Sequence, residues 1–425
     1  MRILVVGAGA REHALCWRLS SDPGVDEVLC TPGNAGISRQ FRTIAADPAD
    51  PEVMLAVAER ERIDLTVVGP EAPLARGIAD LFGARGRPIF GPRRAAAQLE
   101  TSKAFAKEFM QRYSVPTARY RVCSDAEQAA DVIRRGELGA APVVKADGLA
   151  GGKGVIVAQS ADEAETAVRS LMIDRTLGEA GKSIVLEERL EGPEVSFFVI
   201  ADGEYAVPLV AAQDHKRIFD EDQGPNTGGM GAFAPSRLVD EAMKGRILNE
   251  IVQPVLQGLI KDGTPYRGVL YCGLMLTGQG PKVIEFNARL GDPEAQVVLP
   301  MIVEPLSPLL WAAATGALRS SRVSLGAEPH VGVVVAAAGY PGAIRSGAPI
   351  EGLGRVTSEY PDVLVFHAGV KHQDDKLVVA GGRVLTVVGK GASFGSAIER
   401  AYDAVSRISF PGMQYRRDIG KKALS

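Results

Sequence analysis

The chain has 425 residues, too many for one ordinary domain, and its 46% hydrophobic and 23% charged content fits a globular protein. A formal charge of −3 and a pI near 6.1 give no electrostatic case for nucleic acid or an anionic membrane as partner. The four cysteines, Cys16, Cys30, Cys123 and Cys272, form no Cys-x-x-Cys pair, and no apolar run nears the ~20 residues of a membrane span, so a soluble, reduced, cytoplasmic protein is expected.

The first hundred residues alternate strands with helices. "RILVVG", "VDEVLC", "DLTVVGP" and "RPIFGP" read as strands, "REHALCWRLS" and "PEVMLAVAERERI" as helices, and this order predicts a parallel, doubly wound sheet closing near Gly91–Pro92. One helix, "AAAQLETSKAFAKEFMQRY", then leads to Pro116. "VVKA" and "GVIVA" flank a glycine-rich centre and predict an antiparallel hairpin with a mobile tip, followed by the strand "KSIVLEERL". Further on, the strands "EVSFFVIADG" and "YAVPLVAA", the loop "GPNTGGMGAFAP", a helix over 240–261 kinked at Pro254, and the strands "GVLYCGLMLT" and "KVIEFNARL" complete a second portion. Beyond about Gly326 the chain turns β-rich and ends in a helix through Ala401. The division is therefore 1–100, 101–326 with 120–190 as a small mobile lobe, and 327–425.

The opening turn, Gly7-Ala8-Gly9-Ala10-Arg11-Glu12, resembles a dinucleotide fingerprint but fails it twice. Glutamate takes the sixth position, and Cys30 and Thr31 stand where a ribose-binding acid belongs. What remains is a helix N-terminus beside Arg11 and His13, which suits a phosphomonoester better than a pyrophosphate. "VVKADGLAGGKGV" lacks the Walker A spacing, yet it places Lys145 on a strand and Lys153 in a turn whose Gly151, Gly152 and Gly154 amides can approach phosphate oxygens. In "KVIEFNARLGDPE", strand alternation puts Glu285, Asn287 and Arg289 on one face, with Ile284 and Phe286 turned into the core. A carboxylate and an amide oxygen two residues apart are hard ligands suited to Mg²⁺, and Arg289 can reach a phosphoryl group or a carboxylate.

With "VGPEAPL", "LETSKAF", "QDHKR" and "GPNTGGMGA", these motifs resemble, in order, the ATP-grasp ligases and, more closely, the glycinamide ribonucleotide synthetase (phosphoribosylamine–glycine ligase) family. The resemblance spans nearly the whole chain. It implies an α/β multidomain ligase with an N-terminal doubly wound parallel-sheet domain, a two-part ATP-grasp core and a β-rich C-terminal domain. It also implies an activity: ligation of glycine to 5-phosphoribosylamine with ATP and Mg²⁺ or Mn²⁺, through glycyl phosphate, in purine synthesis. Carried over by position, Lys103, Lys145 and the Gly151–Gly154 loop with Lys153 would bind the ATP phosphates. Glu187, Glu188 and Leu190 would line the adenine pocket, and Glu194 would bind the ribose. Glu285 and Asn287 would hold the metal, while Arg289 and Lys145 would act in catalysis. Gly9, Arg11, His13 and Glu71 would face phosphoribosylamine. Asp214 and Asp292 are candidates for glycine's ammonium, with Lys216 among the substrate-binding residues. Small-molecule substrates, no nucleic acid, no membrane and a monomer are expected. One departure stands out: "YCGLML", on the strand before the Glu/Asn strand, holds no acid for a second metal.

Overall fold

Apolar runs flanked by turn signals build the first sheet, whose strands β1 (Arg2–Gly7), β2 (Glu27–Pro32), β3 (Arg42–Thr43), β4 (Leu65–Val68) and β5 (Ile89–Phe90) lie in the order β3-β2-β1-β4-β5, all parallel. Helices α1 (Ala10–Ser20), α2 (Pro51–Arg60), α3 (Glu71–Ala75) and α4 (Ile78–Ala84) connect them. The computed structural model describes residues 1–149, 154–319 and 322–424, so the expectations for Gly151, Gly152 and Lys153 lie outside the described residues. Strand β2 runs two residues later than the pattern suggests, because Thr31 and Pro32 still pair with Val6 and Gly7.

The single helix expected over 95–113 is two, α5 (Arg94–Thr101) and α6 (Lys103–Arg112). Ser102 between them is extended (φ −136°, ψ 114°), and its hydroxyl accepts from the Phe105 amide at 3.1 Å, an N-cap that starts α6 afresh. The cap also puts Lys103 at the head of a helix. Over 240–261 the helical path holds, with a π turn at Leu248–Val252. Pro254 falls in the first turn of the segment after it, where its missing N–H is tolerated, so the π turn takes up the register change expected at the proline.

The strands Tyr120–Cys123, Ile184–Glu187, Val143–Ala146 and Val155–Val157 form an antiparallel sheet in that order, around a core of its own that includes Cys123, Val144, Ile184 and Leu186. The larger sheet, Ala206–Pro208, Glu194–Asp202, Arg267–Thr277 and Gly280–Asn287, is antiparallel and packs Phe197 and Phe286 against α6 and helix Gln253–Lys261 through Phe109 and Val255. The last sheet runs Gln213–Asp214, Gly231–Ala234, His330–Ala336, Arg383–Lys390, Leu364–His367. Its first two strands come from the "QDHKR…GPNTGGMGA" region, so the sheet crosses the division expected at 326/327: the central loop is stitched into the C-terminal sheet. All four cysteines are buried and unpaired. Among the described residues no helix is long and apolar enough to cross a membrane.

Candidate active site

The C-terminal ends of the first sheet, the head of α6, the lysine hairpin, the larger sheet and the C-terminal sheet converge on one cleft with a cavity of about 350 Å³. Arg11, Glu71, Lys103, Gly154, Glu187, Asp214, Lys216, Glu285, Asn287, Arg289 and Asp292 line it together. These residues are spread over 280 positions of chain, and each was singled out on sequence alone.

Lys145 sits beneath the cleft, 3% exposed. Its ammonium donates to the Ile284 carbonyl (3.0 Å) and lies 2.8 Å from Glu187 Oε1. That carbonyl is available because of a β-bulge: Gly273 pairs with Glu285 and Leu274 with Val283, leaving Ile284 as the extra residue. The bulge corrects the alternation expected from sequence, since Val283 and Phe286 enter the core while Ile284 lines the cleft. Glu187 is shared with a second buried ammonium, Lys107, at 2.9 Å. Burial opposes ionisation of Glu187, but Lys145 and Lys107 outweigh it and hold the carboxyl below its ordinary range. Burial draws Lys107 down to about 8 against the pull of Glu187. Lys103 is also lowered by burial, with Glu285 the main opposing charge. Asp147, the aspartate of "VVKADG", ties the hairpin to the break before α6 by accepting from Ser102 (3.0 Å), the Ala104 amide (3.2 Å) and Ser183 (3.0 Å).

The Glu285 carboxylate makes no hydrogen bond or ion pair with any described residue, although it faces the cleft beside Lys103. Asn287 is satisfied with its amide nitrogen towards the Phe286 carbonyl (3.2 Å) and Glu100 Oε1 (3.1 Å). Among the described residues no group of three or more His, Cys, Asp or Glu could hold a metal unaided. Two oxygen ligands on a cleft wall fit Mg²⁺, which completes its shell with substrate phosphates and water. The Arg289 guanidinium lies between two carboxylates, with Nε 3.3 Å from Glu71 and Nη2 2.8 Å from Glu100.

The other wall carries Asp214 and Asp292. Burial raises Asp214; Lys216 opposes this, while Glu294, Glu194 and Glu285 add to it. Asp292 is held by Gln296 (2.7 Å) and paired with Arg383 (3.0 Å), which also donates to the Gly228 carbonyl (2.5 Å). Lys216 pairs with Glu194 at 2.8 Å. Glu194 is exposed, Leu190 is half-buried, and Glu188 is turned to Arg119 (2.6 Å); none of the three lines the cavity.

The opening turn needs two corrections. The Gly9 amide is not free: Glu12, 2% exposed, accepts from the Gly9 N–H at 2.6 Å and from Arg11 Nε at 2.7 Å. A Cβ at Gly7 would lie 2.5 Å from Glu12 Cγ, so the glutamate that broke the fingerprint lies across the turn a pyrophosphate would need. His13 is not in the cleft either. It is 1% exposed against Phe41, Phe366 and His367, and its Nδ1 accepts from the His367 backbone N–H at 2.9 Å. Of that group, Arg11 and Glu71 reach the cleft. Sequence reasoning missed Glu100, Lys107, Glu294 and Arg383, all of which line it. Glu100 and Lys107 were within reach, since Glu100 lies in the "LETSKAF" segment with Lys103 and Lys107 one helical turn beyond it.

Comparison with known proteins matches the three parts of the chain to three family models: Phosphoribosylglycinamide synthetase, N domain (residues 1–100), ATP-grasp (A) domain (101–295) and C domain (330–422). A phosphoribosylamine–glycine ligase of Ralstonia nicotianae is 48% identical over 425 residues, covering 100% of both chains. One from Pseudomonas aeruginosa is 45% identical, covering 100% of this chain and 99% of its own. The crystal structure of phosphoribosylamine–glycine ligase from Thermotoga maritima superposes with a TM-score of 0.87 at 33% identity, covering 98% of this chain and 100% of that one.

Proposed function

The chain belongs to the phosphoribosylglycinamide synthetase family, and from that premise we propose that its cleft brings ATP, glycine and 5-phosphoribosylamine together in adjoining subsites. The reaction joins glycine to the sugar amine, giving N1-(5-phosphoribosyl)glycinamide, ADP and phosphate, a step of purine biosynthesis. A glycine carboxylate oxygen bonds to the γ-phosphorus as the bond to ADP breaks. The sugar amine nitrogen then bonds to the carbonyl carbon of glycyl phosphate, phosphate leaves, and the nitrogen loses a proton.

Lys103, Lys145 and the Gly154 end of the hairpin are assigned to the ATP phosphates, with Glu187 holding Lys145 in place. Glu285 and Asn287 would hold Mg²⁺ or Mn²⁺, whose chemistry there is charge neutralisation across the phosphates. Arg289, kept rigid by two carboxylates, is placed to neutralise charge on the transferring phosphoryl or the acyl phosphate. Asp214 and Asp292 are assigned to glycine's ammonium, and Arg11 and Glu71 to phosphoribosylamine. Since Gly9's amide is committed to Glu12 and His13 is packed elsewhere, both are dropped from this set.

The observation that carries the reading is the convergence on one cavity of Lys103, Asn287, Arg289 and Glu285, which has no partner among the described residues, with Lys145 directly beneath. The test is ADP release with ATP, glycine and phosphoribosylamine: turnover that needs both co-substrates is expected. Release with bicarbonate in place of glycine would overturn the assignment. Within this reading, Arg11→Ala should raise the apparent KM for phosphoribosylamine by about 10- to 100-fold, the worth of one charge-assisted hydrogen bond. The KM for ATP should change less than about threefold. Equal changes in both would move the sugar phosphate away from Arg11.

A further inference from the structure

We propose that Glu100 is a positioning residue for this reaction, which locks the metal-binding amide of Asn287 and the guanidinium of Arg289 into one unit. The proposal rests on the roles given to those two residues above. Glu100 lies in the last turn of α5, is 8% exposed and opens on the cleft wall. Its carboxylate grips three consecutive residues of the chain leaving the Glu/Asn strand. Oε2 accepts from the Ala288 amide at 2.7 Å, while Oε1 lies 2.8 Å from Arg289 Nη2 and 3.1 Å from the Asn287 amide nitrogen.

All three partners are donors, and a carboxylate, with two accepting oxygens and no proton to place, suits all of them at once. Burying such a charge costs free energy that an apolar contact between helix and strand would not incur, so joining α5 to the strand does not by itself account for an acid here. Geometry supplies the reason. Arg289 has a second carboxylate, Glu71, 3.3 Å from its Nε. Without Glu100, Nη2 loses its partner, and the guanidinium is left to Glu71 at Nε and to the Leu290 carbonyl at Nη1 (3.1 Å), free to shift towards Glu71. The same loss leaves the Asn287 amide nitrogen only the Phe286 carbonyl (3.2 Å) against turning into the cleft, where an oxygen is needed. Position 100 also lies two residues before the Ser102 break that Asp147 fixes to the lysine hairpin. One short segment therefore sets the metal strand on one side and the phosphate lysines on the other.

Glu100→Gln tests this, because its amide must aim N–H at one of three donors. Turnover should fall about 100-fold, as for an ångström-scale misplacement of catalytic groups. The Mg²⁺ concentration for half-activation should rise about tenfold, the usual effect of losing a group that orients a metal ligand. Calorimetry should show weaker binding of MgADP and unchanged binding of ADP without metal. Asn287→Ala is measured in parallel. If it shifts the Mg²⁺ dependence while Glu100→Gln leaves turnover and Mg²⁺ dependence within twofold, the positioning role is overturned. A Glu100→Gln protein with a lower melting temperature but an unaltered Mg²⁺ dependence would also overturn it, leaving a purely structural residue. If neither variant shifts the Mg²⁺ dependence, the metal role of Asn287 fails and the inference falls with it.

Discussion

Glu285→Ala is expected to lower turnover by ~10³-fold while leaving the melting temperature unchanged or slightly higher, the upper range seen when one preorganised charge-stabilising group is removed. The two halves of this result have a common cause. Other acids of the cleft are tied into the fold: Glu187 to two lysines, Glu100 to Ala288 and Arg289, Asp292 to Gln296 and Arg383. Truncating any of these leaves a partner without its counter-charge, which for buried partners such as Lys107 and Lys145 typically costs about 3–5 kcal/mol. Glu285 makes no hydrogen bond or ion pair among the described residues; its removal takes a longer-range attraction from Lys103, to which Asp147 and Glu100 still contribute. Its carboxylate instead adds negative charge to a cleft whose opposite wall holds Asp214, a carboxyl raised by burial and in part by Glu285. Activity and stability should therefore separate at this position. Initial rates of ADP release and a calorimetric melt on the same preparation decide it. Turnover within tenfold of the parent would remove Glu285 from the metal site, and a large drop in melting temperature would show an unrecognised structural bond.

The contrast between Glu285 and its neighbours also explains what could be read from the sequence. Local pattern was enough for the parallel sheet of the first hundred residues, because each βα unit repeats within some thirty positions. It was enough, too, for the lysine hairpin and the Glu/Asn strand, whose side chains act one residue at a time. What escaped was set by contacts far along the chain. The break at Ser102 depends on Asp147, 45 residues away, and nothing in "LETSKAF" distinguishes it from a continuous helix. The bulge at Ile284 is a property of the pairing with Gly273 and Leu274, so strict alternation misassigned Ile284. His13 looked like a phosphate ligand beside Arg11, but its imidazole packs against Phe366 and His367, some 350 residues on. Glu12 shows the reverse case: the residue that disqualified a dinucleotide site from sequence does so physically, by capping the turn itself. The positioning acids are the least legible class. Glu100 differs from a surface helical glutamate only through the strand it meets.

Between pH 6.5 and about 4.5 the protein should lose stability steeply, driven by buried histidines before most carboxylates titrate. Burial, with His367 adding and Gln40 opposing, lowers His13 from 6.5 to about 3. Burial and Arg39 lower His367 to about 4. For His215 burial, then Lys422 and Arg416, lower it to about 4 against Asp418 and Asp222. The sign follows from proton counts. In this window the unfolded chain protonates these imidazoles while the folded one does not, so unfolding takes up protons and stability falls as pH falls. Each such histidine contributes up to ~1.4 kcal/mol per pH unit. Asp214 works the other way, because its raised folded pKa binds a proton that the unfolded chain releases. Three protons against one leave about two, or roughly 3 kcal/mol per pH unit. His330, lowered by burial, adds to the uptake and Glu100, raised by burial, subtracts from it; the histidine contribution is complete above 6.5. Two of the three histidines, His13 and His367, face each other where α1 meets the C-terminal sheet, so acid should loosen that contact first. Urea midpoints from pH 7.5 to 4.5 measure the slope, and calorimetry in buffers of different ionisation enthalpy counts the protons directly. Replacing both His13 and His367 with glutamine should flatten the slope by about two protons. A parent protein whose midpoint stays level to pH 5 would mean that these imidazoles already carry charge in the folded state.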